Sequence, residues 1–140
     1  MSDKSKPTKI VDAMYNNDAF SQWLGIERVE EKEGACILRM TIREEMTNGF
    51  KIAHGGVIFS FADSALAFAC NSLGRHAVSI ETSISNMVSV QIGDVLTAKA
   101  RQLSVSHKVG VYQVDIFNQE DKMVASFKGT VYRSSKEWNV

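Results

Sequence analysis

The chain has 140 residues, and its 16 Lys+Arg balance its 16 Asp+Glu, so no net charge draws it toward nucleic acid or an anionic membrane. A hydrophobic fraction of 44% and a charged fraction of 23% are those of an ordinary globular protein with room for a proper core. No apolar run approaches the roughly 18 residues of a spanning helix. The polar start, Met1 to Pro7, is not a signal peptide, so a cytoplasmic location is expected.

In chain order, residues 1–8 are expected to be flexible and residues 9–140 to form a single domain. Ile10, Val11 and Met14 give 9–17 helical spacing, broken at Asn17-Asp18. Phe20, Trp23 and Leu24 predict a second short helical turn that Gly25 ends. From Ile26 the pattern alternates. Residues 26–30 and 35–42 read as two strands around the turn-like Glu31-Lys32-Glu33-Gly34, a hairpin. Cys36 in this hairpin and Cys70 further on lie in apolar settings without paired-motif spacing, and read as reduced core residues.

An irregular connection over 43–53 leads to His54-Gly55-Gly56 and then to a proline-free apolar stretch long enough for four helical turns. Between Val57 and Leu73 its one charge is Asp63. A helix apolar nearly all round is a buried helix. Gly74 is placed for a C-terminal cap. Strands are predicted over 77–86, 95–104, 111–117 and 123–133, with turns at 91–94, 106–110 and 118–122; the last three form an antiparallel meander. The fold class is therefore α+β, with five or six antiparallel strands curling around one long helix.

Several chemistries have no local signature. There is no phosphate-binding glycine loop and no nucleophile elbow. His54, His76 and His107 lack metal-ligand spacing, so neither a metal nor another cofactor is expected. What remains is Asn48, His54-Gly55-Gly56 and Asp63. The first N–H groups of a helix have no intrahelical partner and sit at its positive end, where an oxygen gaining negative charge would be stabilised. Asp63 is a candidate base or nucleophile on the same helix. A structural reading stands beside it, in which Asp63 pairs with an arginine or caps a loop. Gly55 and Asp63 are eight residues apart, roughly 12 Å along a helix axis, too far for one carbonyl carbon. Two such helices lying antiparallel across a two-fold axis would bring the Gly55 end of one to Asp63 of the other, giving two composite sites per dimer.

Asn48-Gly49, His54-Gly55-Gly56 and Asp63 on an apolar helix resemble the hotdog-fold acyl-CoA thioesterases, most closely the phenylacetate-degradation type. The resemblance runs from Trp23-Leu24-Gly25-Ile26 to Gly129-Thr130. It implies a curved antiparallel sheet wrapped around the helix, and a homodimer or dimer of dimers. It implies hydrolysis of a small or medium acyl-CoA, aryl-acetyl included. The Gly55 N–H would polarise the thioester carbonyl and the partner's Asp63 would attack it or activate water. Asn48 and His54 would hold the loop, and Ser79 would assist the carboxylate. Ser106, His107 and Lys108 would neighbour the coenzyme A phosphates. Gly56 is expected as a packing residue beside the substrate. Phe59 belongs to the core or lines the acyl pocket. Relatives often carry an aromatic residue and a proline where this chain has Met87-Val88-Ser89-Val90. Two further readings are an acyl-CoA-binding module without catalysis and a hydratase or dehydratase. The first would not need Asp63, and the second lacks a histidine at helical spacing after it.

Overall fold

The computed structural model describes residues 3–140. Two short helices, α1 (Lys6–Tyr15) and α2 (Ala19–Trp23), precede strands β1 (Glu27–Lys32) and β2 (Ala35–Thr41). A single 3-10 turn (Glu44–Met46) leads to the long helix α3 (Gly55–Asn71). The chain then runs through β3 (Arg75–Asn86), β4 (Val95–Val105), β5 (Val109–Phe117) and β6 (Met123–Glu137).

The six strands make one antiparallel sheet in the order β1-β2-β4-β5-β6-β3. Strict alternation of buried and half-exposed residues along β5 shows one face turned to the core. That face carries Leu38, Met40, Leu96, Ala98, Val114, Ile116 and Phe127, all nearly inaccessible. It closes on Phe61, Ala62, Ala65, Leu66, Phe68 and Ala69 of α3, which are equally buried. This is the curved sheet around a central helix that the hotdog resemblance implied. Cys36 and Cys70 are free and buried, as expected.

Several boundaries differ from the sequence reading, β1 running to Lys32 and β5 starting at Val109 among them. α1 begins at Lys6, not Lys9, inside the stretch expected to be flexible; residues 1 and 2 lie outside the described residues. Ser5 caps it by accepting from Thr8 N–H, and Pro7 suits a first turn, where no N–H is needed. The irregular 43–53 connection holds the 3-10 turn and a bridge between Thr47 and Ala53. β3 starts at Arg75 because α3 ends earlier than its apolar pattern suggests, on the Ser72 cap, with Gly74 at φ 114° turning the chain. β6 continues to Glu137, since its pairing with β3 extends beyond its pairing with β5.

Asn71 holds that corner. Its Nδ2 donates to Ala67 O and Ala77 O, and its Oδ1 accepts from Ala77 N–H and the Trp138 indole N–H. Every hydrogen-bonding position of this buried amide is used.

Candidate active site

The N-terminus of α3 is built by its own capping residue. His54 has extended backbone angles, φ −63° and ψ 136°, and its Nδ1 accepts from Gly56 N–H at 2.9 Å. Nδ1 is therefore unprotonated in this arrangement, and Gly56 N–H is spent on the cap. The Gly55 N–H has no acceptor among the described residues. It sits at the positive end of a 17-residue helix.

Gly55 borders a cavity of about 290 Å³ that Asn48, Ile58 and Asn86 also line, together with the 87–90 segment. Asn48 forms a tight turn, its Oδ1 accepting from Phe50 N–H at 2.9 Å. Its Nδ2 makes no hydrogen bond among the described residues. Asn86, at the end of β3, brings its amide nitrogen to 3.9 Å from where a Cβ on Gly55 would sit. Nothing local in the sequence marks Asn86, because strand β3 has to fold back along α3 before the two meet.

Asp63 lies in a second cavity, of about 320 Å³, with Met14, Leu66, Cys70, Val78 and Ser79 among its lining. The Asp63 carboxylate is half-buried and makes no hydrogen bond or ion pair among the described residues. Burial pushes its pKa above the ordinary 3.8. The structural reading of Asp63 as a paired or capping carboxylate therefore finds no partner. Ser79 lines this cavity too. Burial also lifts the Cys70 thiol to about 12, so Cys70 is an apolar wall and not a nucleophile.

The two cavities do not share a lining residue: Asn48 and Gly55 belong to one, Asp63 and Ser79 to the other. Their separation follows from the eight-residue spacing of Gly55 and Asp63 along the helix. Phe59 lines neither cavity; its ring meets Phe127 edge-on at 5.3 Å and packs on the core.

Ser106 and Lys108 line neither cavity and sit in the β4–β5 turn. The Ser106 hydroxyl is engaged locally with Val109. Two guanidinium groups that the sequence reading passed over grip this turn. Arg133 donates to Ser106 O, and Arg75 donates to His107 O. With exposed Lys108 they gather positive charge at one corner of a chain that is neutral overall.

Residues 50–125 match the thioesterase superfamily profile. The chain is 42% identical over 121 residues to the acyl-coenzyme A thioesterase PaaI of Escherichia coli (strain K12), covering 86% of each. The solved structure of the E. coli PaaI protein superposes with a TM-score of 0.92 at 39% identity, over 94% of this chain and 96% of that one. A hypothetical thioesterase from Streptococcus pneumoniae TIGR4, solved with coenzyme A, superposes with a TM-score of 0.85 at 25% identity, over 90% of this chain and 98% of that one.

Proposed function

Because the chain belongs to the thioesterase superfamily, we propose that it hydrolyses acyl-CoA thioesters at a site shared by two subunits. The half-buried, unpartnered Asp63 carboxylate carries this reading. A charge kept in a low-dielectric setting without compensation is disfavoured unless it is used.

In the proposed site the Gly55 N–H of one subunit donates to the thioester carbonyl oxygen, as the positive end of α3 favours the charge that develops there. Asn48 and Asn86 add amide donors around that position. Asp63 of the other subunit supplies the electron pair. It either bonds to the carbonyl carbon itself or takes a proton from a water that does so. The tetrahedral intermediate expels the coenzyme A thiolate, which leaves as the thiol once protonated. On the first route a mixed anhydride remains and water cleaves it, restoring Asp63 and releasing the acid. Ser79 stands beside the carboxylate as a hydroxyl donor. Capping by His54 holds the Gly55 N–H in place. Arg75, Lys108 and Arg133 suit the coenzyme A phosphates.

The subunits would pair along β3, the sheet edge, whose Val78 and Ile80 are each 63% exposed. A long edge strand with unpaired backbone groups is a template for a second copy. The test is a panel of acyl-CoA esters with a thiol-trapping dye. Asp63→Ala is expected to lose about 10²–10⁴-fold in kcat while remaining a folded oligomer. Full turnover by purified Asp63→Ala would refute the reading, and binding without thiol release by the unaltered protein would leave a binding module.

A further inference from the structure

Trp138 lies just beyond the last strand, outside the 50–125 segment that matches the superfamily, yet the chain's tail is fastened at this residue. Its backbone N–H donates to Gly74 O at 2.8 Å, and its indole N–H donates to Asn71 Oδ1 at 2.9 Å. Its ring stacks on His76, with centroids 4.0 Å apart and planes 14° off parallel. Four residues earlier, the Ser134 hydroxyl donates to His76 O at 2.7 Å. Terminal residues usually stay loose unless tied down, and this one is tied on several sides to the start of β3 and the end of α3.

What the tail holds borders the Asp63 cavity. Asn71 takes the indole N–H on the same Oδ1 that takes the Ala77 N–H at 3.0 Å, while its Nδ2 donates to Ala67 O at 2.8 Å and Ala77 O at 3.1 Å. Two N–H donors on one oxygen fix which way the amide faces. Ala77 is thereby bonded through both its backbone groups to a side chain of α3. Ala77, Val78 and Ser79 all line the cavity that holds Asp63. The sheet grips this segment from one side only, because β3 is the outermost strand. Its register with β6 also breaks at both ends of the segment, between Arg75 and Ala77 and between Ser79 and Glu81. A register break disrupts the ladder locally, so the residues between two of them depend on their other bonds. Here those bonds come from Asn71, which Trp138 orients.

We propose that Trp138 is a positioning residue for the hydrolysis: acting through Asn71, it sets where the Ala77–Ser79 segment stands, and so where the Ser79 hydroxyl meets the reacting groups beside Asp63. The proposal rests on the thioesterase reading, and its test separates the two.

Trp138→Phe keeps a ring to stack on His76 and deletes the indole N–H. With the ester that the unaltered chain cleaves fastest, kcat is expected to fall about three- to tenfold while KM stays within about twofold. Ser79→Ala alone lowers kcat. Adding Trp138→Phe to it lowers kcat by no more than about 1.5-fold further, because the hydroxyl that Trp138 positions is already gone. A purely structural role would cost the same factor in both backgrounds. That result, an unchanged kcat in Trp138→Phe, or an unchanged kcat in Ser79→Ala would overturn the proposal. The second measurement is hydrogen exchange followed by NMR. In Trp138→Phe the backbone N–H groups of Ala77 to Ser79 should exchange at least about fivefold faster relative to those of β4 and β5. If Trp138→Phe does not fold, a chain ending at Glu137 takes its place in both measurements. Absence of thiol release by the unaltered protein from any ester would refute the hydrolase reading. The exchange rates then judge the positioning alone: faster exchange sustains it, and unchanged exchange overturns it whether or not the protein turns over.

Discussion

Asp63 illustrates a residue whose placement works against the fold. The carboxyl is half-buried, has no partner among the described residues, and has its pKa pushed above the ordinary 3.8 by burial. A carboxyl whose folded pKa is raised contributes stability below its unfolded pKa and loses that contribution as pH rises through the folded pKa. Asp63→Asn removes the titration but keeps the shape. It should therefore raise the melting temperature near pH 7, with a gain that shrinks as the pH is lowered below the ordinary carboxylate range. A gain independent of pH would mean that charge burial is not its origin. The same shift sets the acid limb of turnover: kcat/KM of the unaltered chain should fall in acid with a midpoint above 3.8. This carboxylate was legible in the sequence because it is the one charge between Val57 and Leu73. Gly55 was singled out over Gly56 only through the family resemblance; in the structure the His54 ring takes the Gly56 N–H and leaves that of Gly55 without an acceptor among the described residues. Met14 and Asn86 were not legible as site residues, since each reaches its cavity through a tertiary contact with no local pattern.

The close approach of α3 to the sheet is decided at one strand position. Gly129 of β6 lies opposite Leu66, and a Cβ there would come 2.6 Å from Leu66 Cδ2. Leu66 is 1% exposed and has little room to move away. Gly129→Ala should therefore cost about 1–3 kcal/mol by overpacking, read from chemical denaturation. Combining it with Leu66→Val should recover part of the loss, because neighbours that clash are not additive. An unaffected denaturation midpoint in Gly129→Ala would show that the helix yields freely. Element types were readable throughout: alternation marked β4, β5 and β6, and the apolar run marked α3. Their ends were less so. β6 outlasts its own pattern because β3 pairs with it as far as Glu137. α3 stops early because Ser72 bonds backward to Ala69 O and across to Lys32 O, contacts a local reading does not contain.

For the whole molecule the question is whether one chain makes a site alone. Gly55→Pro offers a direct answer. Proline is accepted at the first helical position, and His54 before it already holds the extended angles that proline requires. The substitution deletes the N–H and spares the helix. Gly55→Pro and Asp63→Ala should each be nearly inactive, yet co-expressed they should regain about a quarter of normal activity. Half of randomly paired dimers would be mixed, and each would hold one intact site of its two. Sites confined to one chain would regain nothing.

The strand order carries a consequence for how the protein is made. β3 leaves the ribosome just behind α3, but its neighbour in the sheet is β6, the last strand of all. Until β4, β5 and β6 have followed, β3 is a nascent strand with both edges bare. During that interval another nascent chain competes with β6 for the same hydrogen bonds, and translation speed across β4–β6 sets how long the competition lasts. Slowing codons in that stretch should increase misassembled protein without altering a single residue of the finished fold.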